Sequence, residues 1–183
     1  MLTNPQRKQL LEIARQSIQS YLKTAQKPQL LEKDPALSGK CGAFVTLHQN
    51  SELRGCIGSL VSNQPLYQTI SEMAVEAATG DPRFAALEPE ELKNIQIEIS
   101  VLSPLEKISD PAKIKLGLHG VLVRQGFRSG VFLPQVATET GWSKDEFLSN
   151  LCAHKAGLNP EAWKQKSCEV YIFTAEVFSE EKY

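Results

Sequence analysis

One cysteine sits between two glycines and two places after an arginine, and it is the group in this sequence best suited to chemistry. The stretch is Leu53-Arg54-Gly55-Cys56-Ile57-Gly58, called the signature below. The thiolate is the reactive form of cysteine, and a nearby cation favours it. On an extended strand, side chains two positions apart share a face, with β-carbons about 7 Å apart. At an effective dielectric near 20, Arg54 would favour the Cys56 thiolate by about 2 kcal/mol at most.

These values predict that Cys56 reacts faster with thiol reagents than the three other cysteines, Cys41, Cys152 and Cys168. The same stretch also fits a structural role. Glycine inside a strand costs about 0.5–1 kcal/mol relative to alanine, and it often marks a bulge or the close approach of a ligand or a second backbone. Gly55 and Gly58 are therefore candidate ligand-contact positions. In the structural interpretation, Cys56 is a small buried hydrophobe at a tightly packed barrel corner.

A cysteine–histidine dyad needs a histidine within hydrogen-bond reach of the sulfur. A symmetric hairpin turn pairs His48 with Leu53, which places His48 on the face opposite Cys56 and about 10 Å along the strand. His119 lies in a second predicted hairpin, so it stays a weak candidate for catalysis. The cysteines and histidines have no zinc-site spacing, and the chain has no phosphate-loop or dinucleotide-binding glycine pattern. No metal and no cofactor are predicted.

Three further charged residues are candidates. Glu98 projects from the less apolar face of its strand. It is interpreted either as a solvated charge or, alternatively, as a partner for Arg54 or a weak candidate for a catalytic base. Asp81 and Arg83 flank Pro82 in a turn, and both are candidate ligand-binding residues. The alternative for this pair is turn chemistry alone.

The hydrophobic pattern of the first half predicts the elements that must position the signature. Apolar residues at steps of three and four predict helices, and strict alternation predicts strands. The predicted elements are a helix capped by Thr3 or Asn4 with Gln6, strands at 42–48 and 53–60 around a turn at 49–52, a helix that begins near Asn63 and ends at Gly80, and a strand from Ile95 to Val101. This symmetric hairpin sets Val45 opposite Cys56 and Leu47 opposite Arg54.

The second half predicts the same order of elements. These are a hairpin at 119–124 and 130–133, a helix from the Ser143–Glu146 capping box to Gly157, and a final strand from Cys168 to Phe178. The predicted fold class is α+β, with two hairpin–helix–strand repeats that form a barrel-like, mostly antiparallel sheet flanked by helices. The predicted domain spans 5–180, with lobes at about 5–104 and 105–180.

Composition narrows the class of protein. The chain has 183 residues, of which 42% are hydrophobic, and a net charge of −1, so a globular core is expected and an overall field that would gather nucleic acid is absent. The start of the chain carries no apolar secretory segment and no run reaches the length of a membrane helix. We expect a cytoplasmic protein with free thiols and no membrane partner. The oligomeric state is not predicted.

Several blocks together resemble the AMMECR family, whose microbial member is protein A of the AmmeMemoRadiSam system. The blocks are Gly42 to Leu47, the signature, Asp81 to Phe84, Ile97 to Leu102, Gly117 to Gly120, Gly130 to Val136 and Lys155 to Leu158. The resemblance covers roughly residues 5–180, and it departs at Ala85-Ala86, where the family often has prolines. It implies an α+β fold with a duplicated plan, a cleft lined by the signature with Arg54 and Cys56 as its leading residues, and the company of Memo-type and radical S-adenosylmethionine proteins.

The resemblance does not supply a reaction, so three hypotheses remain. The first is an enzyme or modification factor in which Cys56 is a nucleophile or accepts a group made by a radical partner. The second is a non-catalytic adaptor that binds a small ligand or a partner protein. The third is a nucleic-acid-associated regulator, which fits poorly with the net charge of −1.

Overall fold

The computed structural model describes residues 1–30, 32 and 34–182. The chain forms two compact units, one made of Met1–Leu102 with Glu176–Tyr183 and the other of Ser103–Ala175. Within the described ranges, four α-helices and two four-stranded antiparallel sheets confirm the α+β class. The two sheets are separate, so the barrel-like sheet is not confirmed. The internal duplication, and the single domain 5–180 with its two lobes, stay predictions.

The helices of the first unit follow from their capping residues and apolar faces. Helix α1 spans Asn4–Thr24, and the capping box between Thr3 and Gln6 is present as predicted. Helix α2 spans Leu66–Thr79 and is followed by Gly80 at its C-cap position. The two helices pack against each other and against the sheet. Their buried faces join one hydrophobic cluster, which includes Leu10, Ala14, Ile18, Leu66, Ile70 and Ala74.

The sheet of the first unit presents one apolar face to these helices. Its strands are β1 (Ala43–Gln49), β2 (Glu52–Ser59), β3 (Ile95–Leu102) and β8 (Ala175–Ser179), in the order β2-β1-β3-β8. Every second side chain is buried along β1 from Ala43 to Leu47 and along β3 from Ile95 to Ile99, as the sequence predicted for β3. At the end of β3 the prediction is wrong, because Ser100 is buried and Val101 is half-buried. The core side chains are Val45, Leu47, Ile97 and Ile99, each 0% exposed. Strand β2 is at the edge of the sheet, with only β1 beside it.

The predicted register of the hairpin is correct at the turn and wrong beyond it. Asn50 and Ser51 both have positive φ, 53° and 65°, so the turn has two residues rather than the four predicted at 49–52. His48 pairs with Leu53 as predicted, but Leu47 then pairs with Gly55. The extra residue is Arg54, which makes a β-bulge. Every later pair is shifted by one, and Cys56 faces Thr46 instead of Val45.

The second unit holds the other sheet and two helices. Its elements are β4 (Glu106–Ile108), β5 (Gly120–Gln125), β6 (Arg128–Phe132), α3 (Pro134–Thr140), α4 (Lys144–Asn150) and β7 (Glu169–Phe173), with sheet order β4-β7-β5-β6. The Ser143–Glu146 capping box is confirmed. The helix predicted to reach Gly157 ends at Asn150 and continues as a π-helical turn, Leu151–Lys155. Strand β4 and helix α3 were not predicted.

The final strand predicted from Cys168 to Phe178 is wrong as a single element. The chain is interrupted at Thr174, and the two pieces, β7 and β8, belong to different sheets. Burial alternates from Glu169 to Ile172 in β7 but not along β8. Residues 168–178 contain no glycine or proline that would mark a break, so the sequence pattern does not show the change of sheet. No helix among the described residues is both long and apolar enough to cross a membrane.

Candidate functional site

The sulfur of Cys56 lies beside a hydroxyl group of the neighbouring strand. Thr46 Oγ1 donates a hydrogen bond to Cys56 Sγ over 3.3 Å. The contact exists because Thr46 is the partner of Cys56 in the bulged register. Cys56 is half-buried, which differs from the fully buried hydrophobe of the structural interpretation. Thr46 thus provides one hydrogen-bond donor to the sulfur.

The main chain of Cys56 is held by two side chains from the turn that follows α2. An edge strand has outward N–H and C=O groups without a neighbouring strand to pair with. Asp81 Oδ2 accepts from the Cys56 N–H at 2.9 Å, and Arg83 Nη2 donates to the Cys56 carbonyl at 3.2 Å. The Asp81–Arg83 pair therefore satisfies the outward N–H and C=O groups of Cys56, as the hydrogen bonds of a fifth strand would. We call this pair the edge clasp.

The edge clasp is itself tightly bonded. Arg83 donates to Asp81 Oδ1 from its backbone N–H at 3.1 Å and from Nε at 2.9 Å, and to Oδ2 from Nη2 at 2.7 Å. The Asp81 side chain is 2% exposed, and it accepts four hydrogen bonds in all. Hydrogen bonds from Arg83 hold the pKa of Asp81 well below its usual range, against the opposing effect of burial. Asp81 raises the pKa of Arg83 in turn, and Cys56 adds to that rise.

Arg54 does not have the surroundings that the sequence predicted. Its Nε and Nη2 donate to the two carboxylate oxygens of Glu91 at 3.1 and 3.0 Å, and Nη1 donates to the Ala85 carbonyl at 2.9 Å. The partner of Arg54 is thus Glu91 and not Glu98. Arg54 lowers the pKa of Glu91 through these hydrogen bonds. The cation in contact with Cys56 is Arg83, because the bulge at Arg54 breaks the simple two-residue spacing on which the prediction depended.

Arg54→Ala is therefore expected to affect stability more than thiol chemistry. The variant loses two charge-assisted hydrogen bonds between side chains that are 16% and 26% exposed, and we expect the free energy of unfolding to fall by about 2 kcal/mol. The alkylation rate of Cys56 in the folded protein should change less than twofold. Urea unfolding and timed alkylation measure the two effects. A tenfold slower Cys56 in folded Arg54→Ala would contradict this assignment.

Gly55 and Gly58 are explained by close approaches within the protein. A β-carbon on Gly55 would lie 2.1 Å from the carbonyl oxygen of Ala77 in α2, and one on Gly58 would lie 2.3 Å from the ring of Phe44. The predicted close approach of a second backbone is thus present at Gly55, between β2 and α2. Whether either glycine also contacts a ligand stays a prediction.

Glu98 and the histidines have different relations to the thiol. Glu98 is the β3 partner of Thr46, so Cys56, Thr46 and Glu98 form a row across three neighbouring strands, with Glu98 about 10 Å from Cys56 at the usual strand spacing. His119 belongs to the other unit, where its Nδ1 accepts from the Lys115 N–H at 3.3 Å. At that separation Glu98 is too far from Cys56 for a direct hydrogen bond.

The other three cysteines are less suited to chemistry than Cys56. Burial raises the pKa of Cys41 and Cys168, and it raises the pKa of Cys152 to about 11. Cys152 and Cys168 are buried in the core of the second unit. Their thiolate forms are therefore scarce at neutral pH.

Sequence reasoning missed Thr46 and Glu91. Both contacts depend on the bulge, which moves Thr46 opposite Cys56 and leaves Arg54 outside the regular pairing. The available signal was Gly55 itself, because glycine inside a strand often accompanies a bulge. In the part of the chain that the structure describes, no cluster of three or more His, Cys, Asp or Glu side chains is arranged to hold a metal ion.

Comparisons with known proteins give a consistent result. A family model described as AMMECR1 matches residues 11–178. Protein MK0488 of Methanopyrus kandleri is 46% identical over 184 residues, which cover 94% of this chain and 87% of that protein. Protein PF1979 of Pyrococcus furiosus is 43% identical, with the same shares covered. The crystal structure of the uncharacterized protein PH0010 from Pyrococcus horikoshii matches with a TM-score of 0.86 at 42% identity, covering 94% of this chain and 90% of that one.

Proposed function

Because this chain belongs to the AMMECR1 family, we propose that it acts with Memo-type and radical S-adenosylmethionine proteins in a modification pathway, and that Cys56 is the thiol that receives the modifying group. The observation that carries the proposal is the surroundings of Cys56. Cys56 is half-buried, its sulfur accepts a hydrogen bond from Thr46, and its main chain is held by the edge clasp, whereas burial raises the pKa of the other three thiols. The cleft that the signature would line is part of this proposal.

The chemistry of such a site is nucleophilic substitution. The Cys56 thiolate attacks an electrophilic carbon of an activated acyl or alkyl donor, and a sulfur–carbon bond forms as the leaving group departs with its bonding electrons. The thiol proton goes to solvent before the attack, because only the thiolate is nucleophilic. Thr46 stabilises the negative charge on sulfur through its hydroxyl group, and the edge clasp fixes the main chain of Cys56 so that the sulfur keeps its position.

Competitive alkylation of the native protein tests the reactive thiol. With iodoacetamide at pH 7.5, we expect Cys56 to react on the order of 100-fold faster than Cys152, because Cys152 is 0% exposed and burial raises its pKa to about 11, so little of it is thiolate. Thr46→Val should lower the alkylation rate of Cys56 about fivefold, since the substitution removes the hydroxyl donor and keeps the shape of the side chain. Thr79→Val, which lies in α2, is the matched control. Equal rates at Cys56 and Cys152 would reject the reactive thiol.

A native pull-down tests the pathway. The full chain is used as bait in cells that contain Memo-type and radical S-adenosylmethionine proteins, and mass spectrometry is used to identify both partners and Cys56 adducts. We expect both classes of protein to copurify and a mass increase on the Cys56 peptide that is absent from Cys56→Ser. Recovery of neither class, with an unmodified Cys56, would contradict the proposal.

A non-catalytic adaptor is the second candidate, and the use of the two guanidinium groups favours it. Arg54 is engaged by Glu91 and the Ala85 carbonyl, and Arg83 by Asp81 and Cys56, so both act in holding β2 in place. Cys56→Ser separates the candidates, because an adaptor keeps its partners and its cellular phenotype without the thiol. The nucleic-acid hypothesis has no such support. Strongly salt-dependent binding of RNA or DNA would be the observation in its favour.

A further inference from the structure

A cavity of about 730 Å³ opens in the Ser103–Ala175 unit, apart from the signature. Its walls come from β4, the segment that follows to Pro111, the short 3-10 helix Ala162–Lys164 and the loop that leads into β7. Small-molecule sites commonly measure about 300–1,000 Å³. The cavity therefore has the size of a ligand site.

The floor of this cavity is apolar and fixed. Ile108, Cys168 and Val170 line it and are 5–8% exposed, and all three belong to the hydrophobic cluster of this unit. Trp163 packs against the same cluster, and its indole N–H donates to Ser149 Oγ at 3.3 Å. Because one edge of the indole is tied to Ser149, the ring keeps one orientation. A rigid aromatic and aliphatic floor suits a flat apolar ring.

The rim is positively charged. Its charged members are Lys107, Lys164 and Lys166 against Glu169, which gives 3 − 1 = +2. Including the ion-pair partners outside the cavity, Arg124 and Glu161, leaves the sum at +2.

These charges are not equally available to a ligand. Glu169 already binds two cations, Lys107 at 2.5 Å and Arg124 at 2.8 Å, and these cations lower the pKa of Glu169 to about 2. Lys164 pairs with Glu161 and lies 4.9 Å from the centre of the Trp163 ring. Lys166 has no ion-pair partner among the residues that the structure describes. Its ammonium group is free to meet an anion at the mouth of the cavity.

We propose that this cavity binds a small planar organic phosphate, with the ring on the Trp163 floor and the phosphate beside Lys166. A phosphate monoester carries a charge of about −1.5 to −2 at neutral pH, which complements the +2 of the rim. Lysine binds phosphate as a point charge on a flexible stem. A nucleic acid also presents rings and phosphates, but a volume of about 730 Å³ lies within the range of small-molecule sites.

Tryptophan fluorescence of the full chain tests this site. The chain has two tryptophans, so Trp142→Phe leaves Trp163 as the only indole. The probe is phenyl phosphate, and benzoate and inorganic phosphate are the comparison ligands. We expect saturable quenching by phenyl phosphate with a dissociation constant below 1 mM. Benzoate should bind at least fivefold more weakly because of its lower charge, and inorganic phosphate at least tenfold more weakly because it lacks the ring.

A matched pair of lysine variants locates the bound anion. Lys166→Ala should weaken phenyl phosphate binding at least fivefold, and Lys115→Ala, an exposed lysine of the same unit outside the cavity, should change it less than twofold. Saturation-transfer NMR on the wild-type chain repeats the titration without any tryptophan substitution. Neither measurement involves Cys56, so a negative result here would contradict the phosphate site without contradicting the proposed function.

Three outcomes would overturn the proposal. The first is no saturable signal with phenyl phosphate at 10 mM in either measurement. The second is equal weakening by Lys166→Ala and Lys115→Ala, which would indicate general charge attraction. The third is binding of a 20-nucleotide RNA at least 100-fold tighter than phenyl phosphate with a steep salt dependence, which would make the cavity part of a nucleic-acid surface.

Discussion

Gly55→Ala is expected to lower the free energy of unfolding by about 3 kcal/mol, at the upper end of typical overpacking costs. The new β-carbon would lie 2.1 Å from the carbonyl oxygen of Ala77. Both atoms belong to regular backbone, one in β2 and one in α2, so neither can rotate away as a flexible side chain would. Relief requires β2 and α2 to move apart, which opens the cluster of Leu47, Ala74 and Ala77.

Urea unfolding followed by circular dichroism measures this effect. Gly39→Ala is the matched control, because its β-carbon would meet only the Ala36 carbonyl oxygen at 3.8 Å and its φ is not positive. We expect the control to change the free energy of unfolding by less than about 0.5 kcal/mol. If Gly55→Ala behaves like the control, the close packing of β2 against α2 is not what requires glycine in the signature. The Cys56 alkylation rate of Gly55→Ala shows whether the same shift displaces the thiol.

Asp81→Asn is expected to lower the free energy of unfolding by about 2–3 kcal/mol at pH 7. The substitution keeps the shape but turns one acceptor oxygen into a donor group, so the charge-assisted bonds from Arg83 and the bond from the Cys56 N–H cannot all be kept. Because the Asp81 side chain is 2% exposed, water cannot replace the lost partners. The edge clasp opens, and the main chain of Cys56 is no longer held in place by Asp81 and Arg83.

The difference between wild type and Asp81→Asn should depend on pH in one direction. The pKa of Asp81 is lower in the folded state than in the unfolded chain, where it is about 3.9. The folded state then binds fewer protons, so the contribution of Asp81 is complete above about pH 5 and is lost as the pH falls through the folded pKa. The two stability curves should therefore run parallel from pH 5 to 7 and converge below pH 4.

Chemical unfolding at a series of pH values tests this expectation. Asp110→Asn is the control, because Asp110 is exposed and caps a short 3-10 helix by accepting from the Ala112 N–H, a role that asparagine fills as well. A constant difference between wild type and Asp81→Asn from pH 7 to pH 3 would show that the charge of Asp81 contributes nothing. The Cys56 alkylation rate of Asp81→Asn should also fall, since the proposed function needs the clasp closed.

Much of the fold could be predicted from local pattern. The capping boxes at Thr3 and Ser143, the end of α2 at Gly80 and the alternation of β3 from Ile95 to Ile99 are confirmed, because caps and periodicity depend on neighbours within a few residues. The change of sheet at Thr174 was not predictable in this way. No glycine or proline between residues 168 and 178 marks the break, and only the packing of distant segments decides which sheet each piece joins.

In the candidate site, too, some features follow from local sequence and others from the packing of distant segments. Residue types and spacing alone were enough to identify Cys56 as the thiol to examine, to associate the glycine beside it with a bulge or a close approach, and to place Asp81 and Arg83 in a turn. The cation that contacts Cys56 depended on tertiary contacts. A one-residue bulge at Arg54 places Thr46 rather than Val45 opposite Cys56, Arg54 pairs with Glu91, and Arg83 donates to the Cys56 carbonyl. A bulge depends on how β2 packs against α2 at Gly55, and that contact joins segments more than twenty residues apart in the chain.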